Sequence, residues 1–356
     1  MEKRQMEVGF GIVGCGMIAP FAAKAVSEIA GARLVAAFSR NESRARSVAD
    51  PYGAEPCTDY DSFLDSEDLN VVYISTPSGM HAEYGIPAAE AGKHVIVEKP
   101  IEITLTRAKE LAQACDDAGV KLGVISQSRF AEGSRLMKEA VDQGRFGQLT
   151  LADAYVKWYR NQAYYDEGGW KGTRALDGGG ALMNQSIHAI DLLQWFAGPV
   201  REVTAFCDTL GHERIDVEDT AVAALRFENG ALGVIIGATS AYPGFQKRIE
   251  LSGSKGSAAL EEEDITFWRF YPPDPGDDEV LERFRARRSG PGGAADPAGI
   301  SHVGHRKQFE DFLAAVAEDR PPLVDAGEGM KSLEIILAIY ASSAERRPVS
   351  LPLETG

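Results

Sequence analysis

A glycine turn near the start of the chain constrains the fold more strongly than any other feature of the sequence. The apolar run Val8–Val13 predicts a strand, and helical spacing of apolar residues predicts a helix over residues 18–29. Between them lies the pattern Gly14-x-Gly16-x-x-Ala19. In a strand–turn–helix unit the first glycine permits the tight turn, the second lets the backbone approach a pyrophosphate, and the small third residue keeps the helix close to the strand.

This context predicts a dinucleotide-binding turn, with the pyrophosphate on the N–H groups at the start of the helix. The alternative is a glycine turn without a ligand. The cofactor-binding residues expected in the turn are Gly14, Gly16, Met17 and Ile18.

The pattern of strands and helices changes at about residue 127. Before it, short strands alternate with helices, which predicts a parallel sheet covered on both faces and, with the glycine turn, a Rossmann domain. After it, the helix Glu132–Asp142 is followed by long strands of alternating polarity, with a hairpin signal at Asn229-Gly230. The predicted strands cover residues 150–158, 201–208, 220–227, 232–239 and 247–252.

A chain of 356 residues is too long for one hydrophobic core, so we expect two domains. The expected fold class is α/β, with a Rossmann parallel sheet over residues 1–127. Residues 128–356 are expected to form an α+β domain with a large, mostly antiparallel open sheet for substrate binding and oligomerisation. The stretch 271–300, rich in Pro, Gly and charge, is predicted to be a mobile loop, and terminal helices are predicted over 307–318 and 328–343.

Composition and charge exclude several classes of function. The chain has 37 Lys and Arg against 53 Asp and Glu, a formal net charge of −16, so nucleic acid is not an expected partner. No run is long and apolar enough to predict a membrane span. The four cysteines are far apart, which predicts neither a metal site nor disulfides and favours a reducing, cytoplasmic location.

The end of the second strand bears on the choice of cofactor. An acidic residue there would bind the adenosine ribose hydroxyls and favour NAD. The chain instead has Ser39 and Arg40, a hydroxyl and a cation that suit a ribose 2′-phosphate. We therefore expect NADP as the preferred cofactor, with NAD as the alternative in which Arg40 is solvated or stacks on adenine.

Two further segments carry groups suited to catalysis. Glu98-Lys99-Pro100 follows a predicted strand, and ligands of open parallel sheets collect at that end of the strands. Lys99 can there polarise a substrate oxygen, unless it is a solvated side chain. After three glycines, Asn184 and His188 lie four residues apart on a predicted helix, so His188 is a candidate base and Asp191 could orient its ring. A core histidine satisfied by Asp191 is the alternative.

Together these motifs resemble the glucose–fructose oxidoreductase/inositol dehydrogenase family, also called Gfo/Idh/MocA. The matching elements are the glycine turn, Thr76-Pro77 with His81, Glu98-Lys99-Pro100, and the segment 178–191; residues 247–256 also look like the family's late strand and turn. The resemblance implies a two-domain fold, hydride transfer at nicotinamide, and sugar, polyol or sugar-nucleotide substrates. It also implies that Lys99 and His188 are the catalytic pair.

The same resemblance adds Thr76, Pro77, His81, Glu98 and Lys99 to the cofactor-binding residues. One departure is Asn184, where the family often has Asp. Asn cannot act as a base, although it can still hydrogen-bond a sugar hydroxyl.

Aromatic and cationic residues lie between the predicted domains and suit a sugar ring with an anionic group. Packing in the sheet is an equal alternative for each of them. The expected substrate residues are Lys99, Tyr159, Arg160, Trp170, Arg174, Asn184 and His188. An open sheet with aromatics also predicts a homodimer or homotetramer through its exposed face.

The sequence thus predicts an NAD(P)-dependent oxidoreductase acting on a hydroxyl or ketone of a pyranose, glycoside or sugar nucleotide. In this reaction His188 takes the hydroxyl proton while Lys99 polarises the oxygen. Two alternatives stay open. One is a glycosidase that keeps NAD bound and oxidises its substrate transiently; the other is a non-enzymatic sensor that binds a nucleotide.

Overall fold

The computed structural model of the protein describes residues 7–286 and 301–354. The chain divides into two compact units, which are described separately below. The first comprises Met1–Gln127 and Ser301–Met330, and the second comprises Ser128–Ile300 and Lys331–Gly356.

The first unit is built on a parallel sheet of six strands. They are β1 (Val8–Val13), β2 (Ala32–Phe38), β3 (Glu55–Cys57), β4 (Val71–Ile74), β5 (His94–Val97) and β6 (Leu122–Val124). Their order is β3-β2-β1-β4-β5-β6, and each neighbouring pair is parallel. The order changes direction between β1 and β4, which is the point where open parallel sheets bind ligands. All four residues of β4 are buried, as expected for a strand covered on both faces.

The helices of this unit begin where the sequence supplies a local cap. The unit's first helices are α1 (Ala19–Ser27), α2 (Glu42–Ala49), α3 (Tyr60–Leu64), α4 (His81–Glu90) and α5 (Leu105–Asp117). Asn41, Asp59 and Thr104 accept hydrogen bonds from the first turns of α2, α3 and α5 through their side chains. Two short 3₁₀ segments cover Asp50–Tyr52 and Ser78–Met80, and a third covers Gln127–Phe130 where the second unit begins.

The second unit carries a larger sheet in which one pair of neighbouring strands is parallel. Its strands include β7 (Leu149–Lys157), β8 (Val200–Asp208), β9 (Thr220–Phe227), β10 (Leu232–Ala238), β11 (Arg248–Gly253), β12 (Gly256–Glu261) and β13 (Asp264–Phe270). The pairs are antiparallel except β10 with β7, which are parallel. Buried and exposed residues alternate along β9, so one face of the sheet is covered and the other is open.

The covered face packs against helices. The helices of this unit before residue 286 are α6 (Glu132–Asp142), α7 (Gln162–Asp166), α8 (Ile187–Ala197) and α9 (Asp277–Arg285), and α8 is preceded by a π-helical turn over Ala181–Ser186. The last elements of the chain are α10 (Val303–Ala317), α11 (Ala326–Glu345) and β14 (Val349–Ser350), which pairs with β8 and completes an eight-stranded sheet. The predicted fold class is confirmed: a parallel Rossmann sheet and a mostly antiparallel second sheet.

Two predictions about organisation need correction, and two strands were not predicted. Residues 301–330 belong to the first unit, because Phe309 and Phe312 of α10 complete its core beside Phe10 and Tyr73. The predicted loop 271–300 contains helix α9, whose first turn is acidic and whose last turn is basic, as favoured by the helix dipole; its residues 287–300 lie outside the described part. Strands β12 and β13 were missed altogether.

Candidate active site

Three motif segments of the first unit lie at one edge of its sheet. Strands β1, β4 and β5 are neighbours, so the glycine turn, Thr76-Pro77 and Glu98-Lys99-Pro100 follow adjacent parallel strands. Hydrogen bonds join them: the Ser75 hydroxyl donates to the Gly14 carbonyl at 2.8 Å, and the Glu98 N–H donates to the Ile74 carbonyl at 2.9 Å. The three predicted motifs therefore lie side by side at the carboxyl ends of these strands.

The two glycines of the turn have different reasons to be glycine. Gly14 has φ +92°, and a Cβ there would lie 2.8 Å from the backbone of Ser75 and Thr76. At Gly16, by contrast, a Cβ would meet nothing within 4 Å. The protein itself does not need a glycine at position 16, which fits a backbone kept bare for a ligand.

The start of α1 is suited to an anion. Its N-cap residue Ile18 offers no side-chain cap, and its first turn holds no acidic residue. Met17, just before it, is 54% exposed. The Ala19 N–H donates to the Gly16 carbonyl at 3.3 Å and Pro20 has no N–H, so a pyrophosphate would bind at the turn that precedes α1, where the positive end of the helix dipole favours an anion.

Thr76, Pro77 and His81 have distinct places at the same edge. The Thr76 hydroxyl is buried and has no hydrogen-bond partner among the described residues, which also fits a ligand at this position. His81 is buried, and its Nδ1 and Nε2 lie 2.9 Å from the Pro100 carbonyl and 3.2 Å from the Thr76 carbonyl. Both ring nitrogens thus contact protein backbone, and burial lowers the pKa of His81. His81 therefore ties Thr76 to Pro100, and its contact with the cofactor stays a prediction.

The end of β2 places one further cation near the turn. Arg40 is exposed, and the Ser39 hydroxyl accepts a hydrogen bond from the Asn41 N–H at 3.2 Å. Burial raises the pKa of the Cys15 thiol to about 12, and the positive charge of Arg44 opposes the rise. The positive charge of Arg44 therefore lies near Cys15 of the glycine turn, although the sequence analysis did not single out Arg44. The sequence feature that could have located Arg44 is the helix cap Asn41, which accepts a hydrogen bond from the Arg44 N–H in the first turn of α2.

Glu98 joins the Glu-Lys-Pro segment to strand β4 and helix α10 by hydrogen bonds. Its Oε1 accepts from the Tyr73 hydroxyl at 2.6 Å and lies 3.0 Å from Nε2 of His305, and its Oε2 accepts from the Lys99 N–H at 3.2 Å. Burial alone would raise the pKa of Glu98, but the hydrogen bond and charge of His305, the charge of Lys99 and the Tyr73 hydroxyl lower it to about 2. Glu98 is therefore an anion that faces protein donors.

The second unit contains the segment with Asn184 and His188. Among residues 181–193, only the polar side chains Asn184, Gln185 and His188 are not buried. Glu218 holds the start of the π-helical turn by accepting from the N–H groups of Gly180 and Leu182 at 3.0 and 2.8 Å. The π-helical turn thus leads into α8 with these three polar side chains on its accessible side.

A hydrogen-bond network extends from Asn184 to Arg160. Asn184 donates to Asp177 at 2.7 Å and accepts from the Gln185 amide at 3.1 Å. Gln185 in turn accepts from the Arg160 guanidinium at 2.8 Å and donates to the Tyr164 hydroxyl at 2.9 Å. Asp177 and Gln185 were missed by the sequence analysis, because nothing local predicts bonds that span 7 and 25 residues.

Cations and aromatic rings surround this network. The Arg160 guanidinium lies 5.1 Å from the ring centre of Trp158 and 5.6 Å from that of Tyr164. The Lys171 ammonium lies 3.9 Å from the same Tyr164 ring, and burial lowers its pKa. Lys171, which the sequence analysis did not single out, is therefore a second cation beside the Tyr164 ring.

The other predicted substrate residues make separate contacts. Tyr159 packs edge-on against Tyr242, with ring centres 5.1 Å apart. The guanidinium of Arg174 donates to the backbone carbonyl of Asp216 at 2.8 Å, and the side chain is exposed. The carbonyl of Trp170 accepts from the Thr173 hydroxyl at 2.6 Å. None of these three contacts belongs to the network between Asn184 and Arg160.

Asp191 has a partner other than the one predicted. Both of its carboxylate oxygens accept hydrogen bonds from Arg129, at 2.6 and 2.8 Å, and both side chains are buried. This pair joins α8 to the segment before α6. The suggestion that Asp191 orients His188 is therefore replaced by a structural role for Asp191.

Other site types find no support in the described residues. Residues 7–286 and 301–354 contain no cluster of three His, Cys, Asp or Glu side chains that could hold a metal ion. No helix within these ranges combines the length and apolarity needed to cross a membrane. The four cysteines are free thiols.

The first unit has the form of a dinucleotide-binding oxidoreductase domain. Residues 8–126 match the model of an oxidoreductase family with an NAD-binding Rossmann fold, and residues 134–259 match the GFO/IDH/MocA C-terminal domain. The chain belongs to the Gfo/Idh/MocA family of oxidoreductases, and it is an enzyme of the dehydrogenase type.

Similar proteins match over almost the whole chain. The WlbA dehydrogenase from Bordetella pertussis, solved with NADH and UDP-GlcNAcA, is 34% identical, with a TM-score of 0.87 over 98% of this chain and 100% of that one. WlbA from Chromobacterium violaceum, solved with the same two ligands, is 33% identical, with a TM-score of 0.88 over 98% and 97%. Inositol 2-dehydrogenase of Rhizobium meliloti is 28% identical over 97% of this chain and 100% of its own length.

The two glycines of the turn give a matched pair of substitutions. We expect Gly14→Ala to lower the free energy of unfolding by at least about 1–3 kcal/mol, because it places a Cβ at positive φ against backbone. Gly16→Ala should change it by less than about 0.5 kcal/mol, yet weaken NAD and NADP binding about tenfold, because the Cβ occupies ligand space. Denaturant unfolding and fluorescence titration of both cofactors measure the two effects. Unchanged cofactor affinity in Gly16→Ala would mean that the turn does not hold the pyrophosphate.

Proposed function

We propose that the protein is an NAD(P)-dependent dehydrogenase that interconverts a hydroxyl and a ketone on a pyranose, with nucleotide-linked sugars as its substrate class. One observation carries this proposal. The glycine turn, Thr76-Pro77 and Glu98-Lys99-Pro100 follow three adjacent parallel strands of one sheet. A cofactor-binding turn and a candidate catalytic lysine therefore lie at the same ends of these strands. Lys99 is then within the region where the reacting part of a bound dinucleotide is expected.

The substrate class is supported by the second unit and by its relatives. Both WlbA dehydrogenases were solved with UDP-GlcNAcA, a nucleotide sugar. In this chain Arg160 and Lys171 both lie close to the ring of Tyr164, and cations beside an aromatic ring suit a sugar that carries an anionic group. The amide groups of Asn184 and Gln185 can hydrogen-bond sugar hydroxyls beside them.

The proposed reaction needs a base for the hydroxyl proton and a cation beside the reacting oxygen. A bound nicotinamide supplies the two-electron acceptor for the hydrogen of the carbinol carbon. His188 accepts the proton of the hydroxyl group as the carbon–oxygen double bond forms, since an imidazole can act as a base near neutral pH. The ammonium group of Lys99 stabilises the negative charge that develops on that oxygen. In the reverse direction His188 returns the proton.

The roles of Lys99 and His188 are tested by single substitutions. We expect Lys99→Ala and His188→Ala each to lower kcat by about 10²–10⁴-fold with UDP-GlcNAcA as substrate, because each removes one group that acts on the oxygen. Cofactor affinity should stay within about threefold of the parent value. The measurement is the absorbance of reduced nicotinamide, with Lys109→Ala, an exposed lysine on α5, as the matched control.

The outcomes separate the parts of the proposal. Parental turnover in Lys99→Ala would remove Lys99 from the mechanism. Absence of turnover of UDP-GlcNAcA with either cofactor would contradict the substrate class. A cofactor that is retained through purification and shows no net reduction would favour the glycosidase alternative.

For the cofactor, we propose that Arg40 and Arg44 favour NADP over NAD. Strand β2 ends without a carboxylate at Ser39 and Arg40, and Arg44 adds a second cation near the glycine turn. The WlbA structures hold NADH, so the chain is expected to differ from them in this respect.

Titration of protein fluorescence with NADP and NAD measures this preference. Arg40→Ala should weaken NADP binding about tenfold or more, because it removes a charged donor to the 2′-phosphate. NAD binding should change by less than about threefold. Arg46→Ala is the control, because Arg46 lies on the neighbouring helix α2 and its guanidinium bonds to Glu42. Tighter binding of NAD than of NADP by the parent protein contradicts the assignment.

We also propose that the protein forms a homodimer or homotetramer through the open face of its second sheet. Phe206, Val222, Ile236 and Tyr155 are directly opposite one another on four neighbouring strands and form an apolar row across that face. Phe206 is 79% exposed, and Val222 is 45% exposed. A continuous apolar row of this kind on a sheet face favours burial against a second copy.

Light scattering during size-exclusion chromatography measures the assembly. We expect Phe206→Glu to shift the protein to a smaller species, because it places a charge at the most exposed residue of the apolar row. Tyr52→Glu, which introduces the same charge at an exposed aromatic of the first unit, should leave the assembly unchanged. Equal masses for the parent protein and Phe206→Glu would exclude this face as the interface.

A further inference from the structure

We propose that the buried carboxylate of Asp177 and the guanidinium of Arg160 orient the side-chain amides of Asn184 and Gln185, and that Asp177 requires an amide at position 184. This inference rests on the proposed function, in which these two amides hydrogen-bond the hydroxyl groups of the sugar. It adds Asp177 to the site. Because Asp177 acts through Asn184, it is a positioning residue.

The hydrogen bonds between these four side chains all run in one direction. The Arg160 guanidinium donates to Oε1 of Gln185 at 2.8 Å, and Nε2 of Gln185 donates to Oδ1 of Asn184 at 3.1 Å. Nδ2 of Asn184 then donates to Oδ1 of Asp177 at 2.7 Å. A guanidinium only donates and a carboxylate only accepts, so each end of this chain of bonds fixes the orientation of the amide next to it. Reversing either amide alone would break two of the three bonds.

Asp177 is itself held by the backbone around it. It is 1% exposed, and its second carboxylate oxygen, Oδ2, accepts from the Gly172 N–H at 2.9 Å. The N–H groups of Asp177 and Gly178 both donate to the Thr173 carbonyl, at 3.0 and 3.2 Å, which fixes the backbone of this segment. A buried carboxylate is stable only with donors placed in this way. Asp177 is therefore a fixed acceptor, against which Asn184 has one correct orientation.

The contact between Asp177 and Asn184 explains the amide at position 184. Aspartate has nearly the same shape as asparagine, but it would replace the donor Nδ2 by an oxygen at the same 2.7 Å from Oδ1 of Asp177. Both oxygens would then be acceptors, and they would repel each other unless one carboxyl group took up a proton. The single negative charge of this pair therefore belongs to residue 177.

This placement of the charge bears on the substrate. Asp177 is buried, whereas Asn184 and Gln185 lie on the accessible side of the segment 181–193. The groups that face a ligand are thus neutral amides of fixed orientation, while the negative charge is buried. This arrangement suits a sugar that carries an anionic group, which a carboxylate at position 184 would repel.

Other titratable groups surround the pair. The charge of Asp177 acts on Lys171 and on the hydroxyl groups of Tyr164, Tyr165 and Tyr340. Burial raises the pKa of Tyr164 to about 12 and also raises those of Tyr165 and Tyr340, so none of the three hydroxyl groups titrates between pH 5 and pH 8. Burial lowers the pKa of Lys171, and the charge of Asp177 opposes the fall. Comparing each variant with the parent protein at the same pH cancels the contributions that the two share.

Thermal unfolding tests the pair without substrate or cofactor. We expect Asp177→Asn and Asn184→Asp each to lower the unfolding midpoint by about 3–10 °C at pH 8, because each leaves a polar group of the pair without a matching partner. The double variant Asp177→Asn/Asn184→Asp exchanges the two side chains and restores one donor and one acceptor. It should therefore recover about half or more of the larger loss.

A matched control introduces the same carboxylate elsewhere in the second unit. Asn161 caps α7 by accepting from the Tyr164 N–H at 2.9 Å, and a carboxylate keeps that bond. Asn161→Asp should therefore leave the unfolding midpoint within about 2 °C of the parent value.

The pH dependence separates repulsion between carboxylates from loss of packing. In Asn184→Asp the folded protein holds a shared proton on the pair, whereas the unfolded chain releases its carboxyl protons at about pH 4. Folding thus raises the pKa of the pair, so stability is lost as the pH rises. The shortfall in unfolding midpoint relative to the parent should grow from pH 5 to pH 8. In the double variant, which again has a single carboxylate in the pair, the shortfall should be equal at both pH values.

Two results of the unfolding experiments overturn the proposal. One is a double variant in which the two single losses simply add, and the other is a shortfall of Asn184→Asp that does not change with pH. If Asp177→Asn does not fold alone, a folded double variant supports the proposal in the same way. A double variant less stable than Asn184→Asp then overturns it.

Kinetics test the role of Asp177 in the site. With UDP-GlcNAcA as the probe, Asp177→Asn should raise KM about threefold to tenfold and change kcat by less than about threefold, because Asn184 binds the sugar and loses its fixed orientation. The affinity for the cofactor, measured by fluorescence titration, should be unchanged. A parent KM in the folded variant would mean that Asp177 is merely structural and would overturn its positioning role. If the parent does not turn over UDP-GlcNAcA, the proposed function fails, whereas unfolding of the double variant still decides whether Asp177 orients Asn184.

Discussion

The close approach of the glycine turn to the end of strand β4 is the constraint on which the candidate cofactor site depends. A side chain at Gly14 would overlap the backbone at Ser75 and Thr76, so this contact exists only with glycine. The Ser75 hydroxyl then bonds the Gly14 carbonyl and fixes the two strand ends in register. Because β5 pairs with β4, the same contact determines where Glu98 and Lys99 lie relative to the turn.

Buried carboxylates organise both units in the same physical way. Glu98 in the first unit and Asp219 in the second are each surrounded by N–H and O–H donors, and the pKa of each is lowered although burial opposes it. Asp219 accepts from the backbone of a loop after β8 and contacts Nδ1 of His212 at 2.9 Å, while Nε2 of His212 lies 2.7 Å from the Arg160 carbonyl. Each anion therefore fixes the backbone of a cationic residue: Glu98 that of Lys99 through its N–H, and Asp219 that of Arg160 through His212.

Features encoded by neighbouring residues could be predicted from the sequence, and those that depend on distant residues could not. The turn of Gly14, strand β1 and the capped helices α2 and α5 are specified within a few residues by apolar spacing and capping. The place of α10 is decided instead by Phe309 and Phe312, which complete a core made by strands within the first 127 residues of the chain.

The candidate site shows the same division. The residue types in Glu98-Lys99 indicate their chemistry, but the bond from His305 to Glu98 spans 207 residues and has no local signal. The partner of Asp191 was wrong for a related reason. His188 is one helical turn away and was the obvious neighbour, whereas Arg129, 62 residues earlier, offers a guanidinium with two parallel donors, and a buried carboxylate needs that stronger partner. Sequence therefore indicated the candidate groups, and packing determined which residues hold them in place.

The acidic character of the chain limits how an anionic ligand can be bound. A net charge of −16 repels a dinucleotide or a nucleotide sugar at long range, although salt screens this repulsion beyond about 10 Å at ordinary ionic strength. Attraction must then come from groups in contact with the ligand. The uncapped start of α1 provides one such group in the first unit, and Arg160 and Lys171, each against the Tyr164 ring, provide others in the second. Because Lys171 and Arg160 are partly or fully buried, water screens them less, and a few such groups can outweigh a repulsive surface.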